Sequence, residues 1–466
     1  MVKLFRRNSF WIKDSRAYFW NSIFLHKTER LCRWISSAIS AANASRQLCA
    51  RTFLVVSAAT MLGALEGGTM AIIVKKMFAG TPGIGPAELD FAVAAVSAAP
   101  NVANLTSFIW EGLAHGRKKV QFISRLQVVT CSCVVLVAFI PLNLYGLFAL
   151  TALIFISRAA WTGVITVRTA VWRNNYPRAN RTLIAGKMAM VQAVVLALAG
   201  LLIGEAMDIA PESFRYLYPV LALAGFSGNV IYRKVRLRGQ RRLQRAEQDG
   251  RKQGEARLDP RRLFALLRED RFYARFMWWM SVFGLGNLMM GPPQVIVLND
   301  QFHTSYLQGI LATTVIPLLV MPLAIPAWSR FLAKSHVVAF RAVHGWAFVL
   351  AALAMWLATL LHSLELMYFA SVLLGLGFAG GSLAWNLGHH DFAPAHRDSE
   401  YMALHVTLNG IRGAIAPFVA VALYYPMAKA GWGAWFFFLC FLINMVGLLG
   451  FMSMRKDIPQ RKAHEI

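Results

Sequence analysis

The stretch "YRKVRLRGQRRLQRAEQDGRKQGEARLDPRRLFALLRED" (residues 232–270) decides the fold. It is dense in charge and poor in apolar residues, whereas long apolar runs stand on both sides of it. This composition predicts a solvated linker between two halves, and a regulatory or lipid-binding role is the alternative. Near its end, Asp259 followed by Pro260 is typical of a helix start. We therefore expect a short helix there, lying on the membrane surface.

The composition of the whole chain is that of an integral membrane protein. Of its 466 residues, 57% are hydrophobic and 15% are charged, and the mean hydropathy is +0.49. Soluble domains carry about 25% charged residues. A spanning helix needs about 20 apolar residues, so the chain can hold about twelve of them. Continuous apolar runs of this length favour helices over a β-barrel. The predicted fold is all-α, with twelve spans in two six-helix bundles, near residues 52–76, 91–113, 120–141, 144–168, 184–207, 214–233, 273–297, 305–329, 337–361, 365–388, 401–425 and 432–454.

The basic residues predict how the spans are oriented. The chain has 48 Lys and Arg against 22 Asp and Glu, an excess that would suggest nucleic-acid binding in a soluble protein. Here the bases concentrate in alternate loops and in both tails, as in the cytoplasmic loops of membrane proteins. We expect cytoplasmic termini, a bacterial cytoplasmic membrane, and contact with anionic lipids rather than nucleic acid. Lys75 and Lys76 oppose this pattern, and we expect them to snorkel at the outer end of the first span.

These boundaries divide the chain into five segments. We assign no function to the first, which is basic and aromatic. The segments are a basic cytoplasmic extension (1–50), an N-terminal six-helix bundle (51–235), a basic cytoplasmic linker (236–272), a C-terminal six-helix bundle (273–454) and a cytoplasmic tail (455–466).

Three charged side chains inside the spans are the main functional candidates. Glu66 is the only acidic residue between Thr52 and Phe78. An ionised group at the centre of a membrane helix costs about 2.5–3.5 kcal/mol, so such a residue usually faces a partner or a water-filled cavity. Arg158 in span four and Arg412 in span eleven meet the same criterion.

Uncharged polar residues form stripes on four spans. Each stripe also has a structural explanation that needs no substrate. Threonines can bond to their own helix, asparagines can join helices, and Pro292-Pro293 can form a kink. The predicted substrate and coupling cavity comprises Glu66, Arg158, Thr162, Thr166, Asn101, Asn104, Asn287, Gln294, His405, Asn409 and Arg412.

Motifs for other chemistry are weak. "GHHDF" (residues 388–392) lacks metal-ligand spacing, and the five cysteines form no metal motif or disulfide framework. We therefore predict neither a metal nor a cofactor. The sequence contains no nucleophile–base pair or phosphate loop, so a membrane-embedded enzyme is a less favoured alternative. A channel is the second alternative, and repeated charge rings, which would favour it, are missing.

Two sequence features resemble the major facilitator superfamily. The stretch from Gly112 to Lys119 is similar to its G-x-L-A-D-R-x-G-R-K loop, although it is two residues short and lacks the Asp-Arg pair. "WRNNYPRANR" (172–181) and "WNLGHHDFAPAHR" (385–397) follow spans four and ten with the same order of Trp, Pro and Arg. The first feature suggests a gating loop formed by Gly112, Gly116, Arg117 and Lys118.

The resemblance implies a secondary transporter that moves a small molecule by alternating access, as a monomer, with protons as a candidate coupling ion. In the resembled fold spans one and four line the N-terminal cavity, which implies that Glu66 faces Arg158. Spans two and eleven meet between the halves there, which implies that Arg412 faces Asn101 and Asn104.

Overall fold

A computed structural model gives the structure of most of the chain. Glu66 and the predicted N-terminal extension lie outside the residues it describes. The described residues are 58, 63–65, 67–175, 178–252, 260–393 and 397–458.

The first half of the chain forms six spans, of which the first is described only in its later part. Span two is interrupted, and spans three to six are continuous. Spans one to six are Gly67–Met77, Pro86–Asn104 with Ser107–Ala114, Lys119–Val137, Leu144–Asn175, Arg178–Ile209 and Phe214–Tyr232.

The second half forms six more spans, three of which change helix type or break. Span eight passes through a π-helical turn at Leu311–Val315. Spans seven to twelve are Arg271–Met289 with Gly291–Asp300, Tyr306–Leu332, Val337–His344 with Trp346–Leu361, Leu364–Leu387, Asp398–Lys429 and Trp435–Met454.

The predicted fold class is confirmed. The described residues are helical with short connections, and nine helices among them are long and apolar enough to cross a membrane. Spans one, two and six complete the twelve-helix fold with two six-helix bundles.

Two breaks inside spans have local causes. Span seven breaks at Met290, just before Pro292 and Pro293, because proline offers no N–H donor and clashes with the preceding turn. This confirms the predicted kink. Span two was predicted as one run, but it is interrupted after Asn104. There the N–H of Thr106 bonds the carbonyl of Ala103 at 2.9 Å, a tightened turn that ends the regular helix.

The linker contains two helices, of which one was predicted. The helix Pro260–Glu269 begins at the expected proline, while Asp259 lies outside the described residues. The second helix, Gln240–Lys252, was not predicted. It docks on the loop after span two through Glu247 and Gln244, a contact that the prediction of a solvated linker did not include.

The two bundles meet along five helix pairs, one of which is span two against span seven. Span two packs on span eleven, span five on span eight, and span one on spans seven and eight. Spans four and ten pack mainly within their own halves, on spans two and three and on spans eight and nine. We call the end of the bundles that carries the 236–272 linker the linker end, and the opposite end the far end.

Candidate functional site

A buried ion-pair cluster joins the two halves at the far end. Lys75 Nζ lies 2.6 Å from Asp90 Oδ1 and 2.8 Å from Asp300 Oδ2. The side chains of Lys75 and Asp90 are only 3% and 5% exposed, whereas that of Asp300 is 49% exposed. Lys76 Nζ donates to the carbonyl of Thr304 in the second half. The expected snorkelling of Lys75 and Lys76 is wrong, because both ammonium groups find acceptors within the protein.

A second contact at the far end attaches span five to the start of span eight. The carboxylate of Asp208 accepts hydrogen bonds from the Ser305 hydroxyl (2.6 Å) and from the N–H groups of Tyr306 (2.6 Å) and Leu307 (3.0 Å). The first N–H groups of a helix lack intrahelical partners, and the helix dipole favours an anion there. Asp208 therefore holds the first half against the second.

Close helix packing completes the closure between spans one and eight. A Cβ atom placed on Gly68 would lie 2.6 Å from Thr314 Oγ1 and 2.9 Å from the carbonyl oxygen of Thr313. The hydroxyls of Thr69 and Thr314 are 3.2 Å apart. No side chain larger than that of glycine fits at residue 68 in this arrangement. We call the contacts of Lys75, Asp90, Asp208, Asp300 and Gly68 the far-end closure.

Arg158 lies against the described part of span one. Its Nη2 atom donates to the carbonyl of Leu65, the residue before Glu66. Glu66 itself lies outside the described residues, so its pairing with Arg158 stays a prediction. The arginine reaches the segment of span one in which that carboxylate occurs.

The threonines near Arg158 favour the structural alternative. Thr166 Oγ1 donates to the carbonyl of Thr162 at 2.8 Å, and Thr151 Oγ1 donates to that of Leu147 at 2.8 Å. Thr162 is buried and Thr166 is half-buried. The hydroxyl protons of Thr151 and Thr166 are thus used within span four.

Arg412 binds within its own half. Its guanidinium donates to the carbonyl of Met280 in span seven and to Oδ1 of Asn409. It lies over Gly284, where a Cβ atom would come within 2.2 Å of Arg412 Cζ. The missing side chain of Gly284 gives the long arginine room to reach span seven.

The predicted pairing of Arg412 with Asn101 and Asn104 is therefore wrong. Spans two and eleven do meet, and the side chain of Asn101 packs on Gly413. However, the guanidinium of Arg412 turns away to the nearer acceptors on span seven and on its own helix. Asn101 and Asn104 are both half-buried.

The polar residues of span seven lie on either side of its break. Asn287 is half-buried, and its carbonyl accepts the N–H of Met290 at 3.3 Å. Gln294 is buried, with Nε2 3.9 Å from Sδ of Met367 in span ten. Gln294 thus faces the interior of the second half.

A buried basic cluster in the second half was not predicted. It consists of Arg341 and His344 in span nine together with His405 and Arg412 in span eleven. Arg341 and His405 are 5% and 3% exposed, and the charge of Arg341 acts on Arg412 and on both histidines. His344 Nε2 lies 2.7 Å from a span-ten carbonyl. Arg341 is a charge inside a predicted span, the same signal that identified Arg158.

The candidate gating loop is held by the linker helix Gln240–Lys252. Glu247 Oε2 accepts the N–H of Gly116 at 2.7 Å and pairs with Lys119 Nζ at 2.7 Å. His115 Nε2 lies 2.6 Å from the carbonyl oxygen of Glu247. Gly116 has a φ of +71°, a conformation that favours glycine. A carboxylate from outside the loop thus neutralises one of its bases.

The other candidate residues of this loop face outward. Arg117, Lys118 and Gly112 are exposed, and a Cβ atom on Gly112 would meet open space.

The described ranges contain no group of three His, Cys, Asp or Glu side chains placed to hold a metal ion. In the "GHHDF" stretch, Asp391 Oδ2 accepts the N–H of Val337 at 2.6 Å and so caps span nine.

Comparisons with known proteins agree with this architecture. Residues 53–417 match the model of the Major Facilitator Superfamily. Similar solved structures include a mutant of the nucleoside transporter NupG (TM-score 0.65, 11% identity, 87% of this chain and 99% of that one). A D-xylose-proton symporter has a TM-score of 0.63 and 12% identity, over 86% of this chain and 97% of that one. A POT family transporter in complex with a thioalcohol-conjugated peptide has a TM-score of 0.63 and 13% identity, over 88% of this chain and 96% of that one. No curated protein sequence matches the chain.

Proposed function

The chain belongs to the Major Facilitator Superfamily, and from this premise we propose that it is a proton-coupled secondary transporter of a small molecule in the bacterial cytoplasmic membrane. The observation that carries the proposal is the far-end closure. It joins the two halves at one end through ion pairs, hydrogen bonds and close glycine packing. Contacts of this kind can form and break as one bundle rocks against the other, which is the motion that alternating access requires.

The described conformation is closed at the far end, and we infer that access to the region between the halves is from the linker end. The exposed bases Arg117, Lys118, Arg330 and Lys334 all lie at the linker end. Cytoplasmic loops are enriched in lysine and arginine, which supports a cytoplasmic linker end and cytoplasmic termini. The conformation is then the inward-facing one.

Proton coupling is assigned to the N-terminal half. Arg158 binds the carbonyl of Leu65 in span one, and the next residue in the sequence is the carboxylate candidate Glu66. A carboxylate that alternates between an arginine and a proton is a device for coupling. One structurally similar protein is a D-xylose-proton symporter, although at 12% identity that likeness extends to the fold alone.

Several finer assignments belong to the same proposal. We assign transport rather than enzymatic activity, a monomer, contact of the basic loops with anionic lipids, and no role in nucleic-acid binding. The division into two bundles, at residues 51–235 and 273–454, gives the two rigid units that would rock about the site.

Uptake into proteoliposomes tests the proposed function. The first probes are nucleosides, D-xylose, dipeptides and small organic anions, tried with and without an inward proton gradient. We expect at least one probe to accumulate against its gradient, and a protonophore to abolish the accumulation. Uptake that reaches only equilibrium, at a rate independent of the proton gradient, would contradict proton coupling.

Gly68→Ala is expected to hinder the far-end closure. Its methyl group would collide with span eight, and overpacking of this kind costs about 1–3 kcal/mol. This free energy corresponds to a shift of about 5- to 150-fold in the balance between the closed and the open state. We expect slower uptake and faster labelling of Thr69→Cys in a cysteine-free background. The matched control is Gly381→Ala, since Gly381 has open space around its Cα. Wild-type uptake and labelling in Gly68→Ala would show that this contact does not form part of the gate.

A further inference from the structure

Among the residues that the structure describes, the buried basic cluster of Arg341, His344, His405 and Arg412 has no counter-charge. In the described part of the chain, no carboxylate forms an ion pair with Arg341 or Arg412. Arg341 makes no hydrogen bond either, although it is only 5% exposed. The two guanidinium charges repel each other. Buried charges are normally paired, because removal of an ion from water is costly.

The donors of this cluster are only partly used. Within the described residues, Arg341 Nε, Arg412 Nε and His405 Nε2 are buried and have no hydrogen-bond partner. His344 donates through Nε2 to the carbonyl of Gly377, so it offers no further N–H in its neutral form. Arginine presents its donors as a planar fork that matches the oxygens of a carboxylate or phosphate. The cluster therefore supplies positive charge and directed N–H donors, and it lacks the anion that both would stabilise.

The surroundings of the cluster fit an organic anion. Gly284 gives room for the guanidinium of Arg412 between spans seven and eleven. The Trp385 ring packs edge-on to His405, with ring centroids 4.5 Å apart, and adds an apolar wall from span ten. Binding sites for small molecules combine apolar walls with a few placed polar groups in this way.

We propose that this cluster binds the anionic group of the transported substrate, a carboxylate or a phosphate, so that the substrate is a small organic anion. The proposal rests on the proposed transport function and adds the substrate class to it. It also separates two roles, since the substrate is bound in the second half and the proton in the first.

Thermal unfolding of the purified protein tests the proposal. Succinate and inorganic phosphate are compared with chloride at equal ionic strength, and D-xylose serves as the neutral probe. A ligand that binds only the folded state raises the melting temperature. We expect saturable stabilisation by succinate or phosphate. Stabilisation by neither, or equal stabilisation by chloride, overturns the proposal.

Variants of the cluster arginines test whether the stabilising anion binds at this cluster. Arg341→Gln and Arg412→Gln are expected to weaken the apparent affinity for the stabilising anion by about 10- to 100-fold, the loss expected for a hydrogen bond to a charged group. Arg330→Gln removes an exposed arginine at the linker end and should leave the affinity unchanged. Unchanged affinity in both cluster variants overturns the proposal.

Arg341→Met separates a binding role from a structural one. Loss of an uncompensated buried charge should raise the ligand-free melting temperature or leave it unchanged, and the response to the anion should disappear. A lower melting temperature with a retained anion response would instead indicate a structural arginine. Anion binding without gradient-driven uptake would count against the transport function alone. Gradient-driven uptake of a neutral probe without any anion response would count against this inference alone.

Discussion

Lys75→Met is expected to lower the free energy of unfolding by about 3–5 kcal/mol, the cost of leaving one member of a buried ion pair without its partner. Asp90 is the member left behind. Its side chain is 5% exposed and lies 2.6 Å from Lys75 Nζ. The same substitution removes the link to Asp300 in the second half, so the far-end closure weakens as well. Denaturant unfolding of the purified protein measures the stability, and thiol labelling of Thr69→Cys reports the closure.

Two further variants serve as controls for the effect of Lys75→Met on stability. Asp300→Asn removes only the half-exposed carboxylate and should cost about 0–1 kcal/mol, as for a surface ion pair. Lys75→Met combined with Asp90→Asn removes both buried charges and should recover most of the lost stability. If Lys75→Met alone unfolds like the wild type, the buried ion pair does not stabilise the protein.

The fold class follows from the sequence because the membrane permits few solutions. Backbone groups in lipid must bond within their own segment, so long apolar runs can only be helices. The break at Met290 was predictable for a similar reason, since Pro292 and Pro293 cannot continue the ladder of a helix. Both features depend on local chemistry alone, and this is why the sequence predicts them.

The partners of long charged side chains could not be predicted in this way. Lys75 was placed correctly at the far end of span one, but its two carboxylates lie 15 and 225 residues away. Arg412 was placed correctly on span eleven, next to a contact with span two. Its direction depends on Gly284, which offers space on the other side. The position of a residue along a span indicates its depth in the membrane. Its partner, however, depends on which residues of other spans lie next to it, and the sequence does not show this.

The docked linker helix was missed for a related reason. Residues 240–252 carry charge on nearly every turn and have almost no apolar surface, a composition that predicts exposure to solvent. The helix is held mainly by Glu247, which finds the N–H of Gly116 and the ammonium group of Lys119. A few specific hydrogen bonds and one ion pair make that contact, and the periodicity of the sequence does not predict them.

Glu66→Gln is expected to abolish accumulation driven by a proton gradient and to preserve exchange of the same substrate across the membrane. The guanidinium of Arg158 binds the carbonyl of Leu65, which directly precedes Glu66 in the sequence. A carboxylate held by this arginine stays ionised, and a movement of span four against span one would leave it to bind a proton. Glutamine keeps the shape and the hydrogen-bonding capacity of the side chain but cannot gain or lose that proton.

Uptake and counterflow in proteoliposomes separate the two roles that Glu66 can have. A coupling residue gives a variant that folds, exchanges substrate and no longer responds to the gradient. A static ion pair that only fixes the bundle gives one of two other results, namely full gradient-driven accumulation or a joint loss of exchange and stability, and either one contradicts coupling. Glu205→Gln is the matched control, because Glu205 is an exposed acid of span five that has no place in the proposed mechanism. Since the proton and the substrate would be bound in different halves, Glu66→Gln should also retain the thermal response to anions. That result would place coupling and recognition on separate sides of the interface.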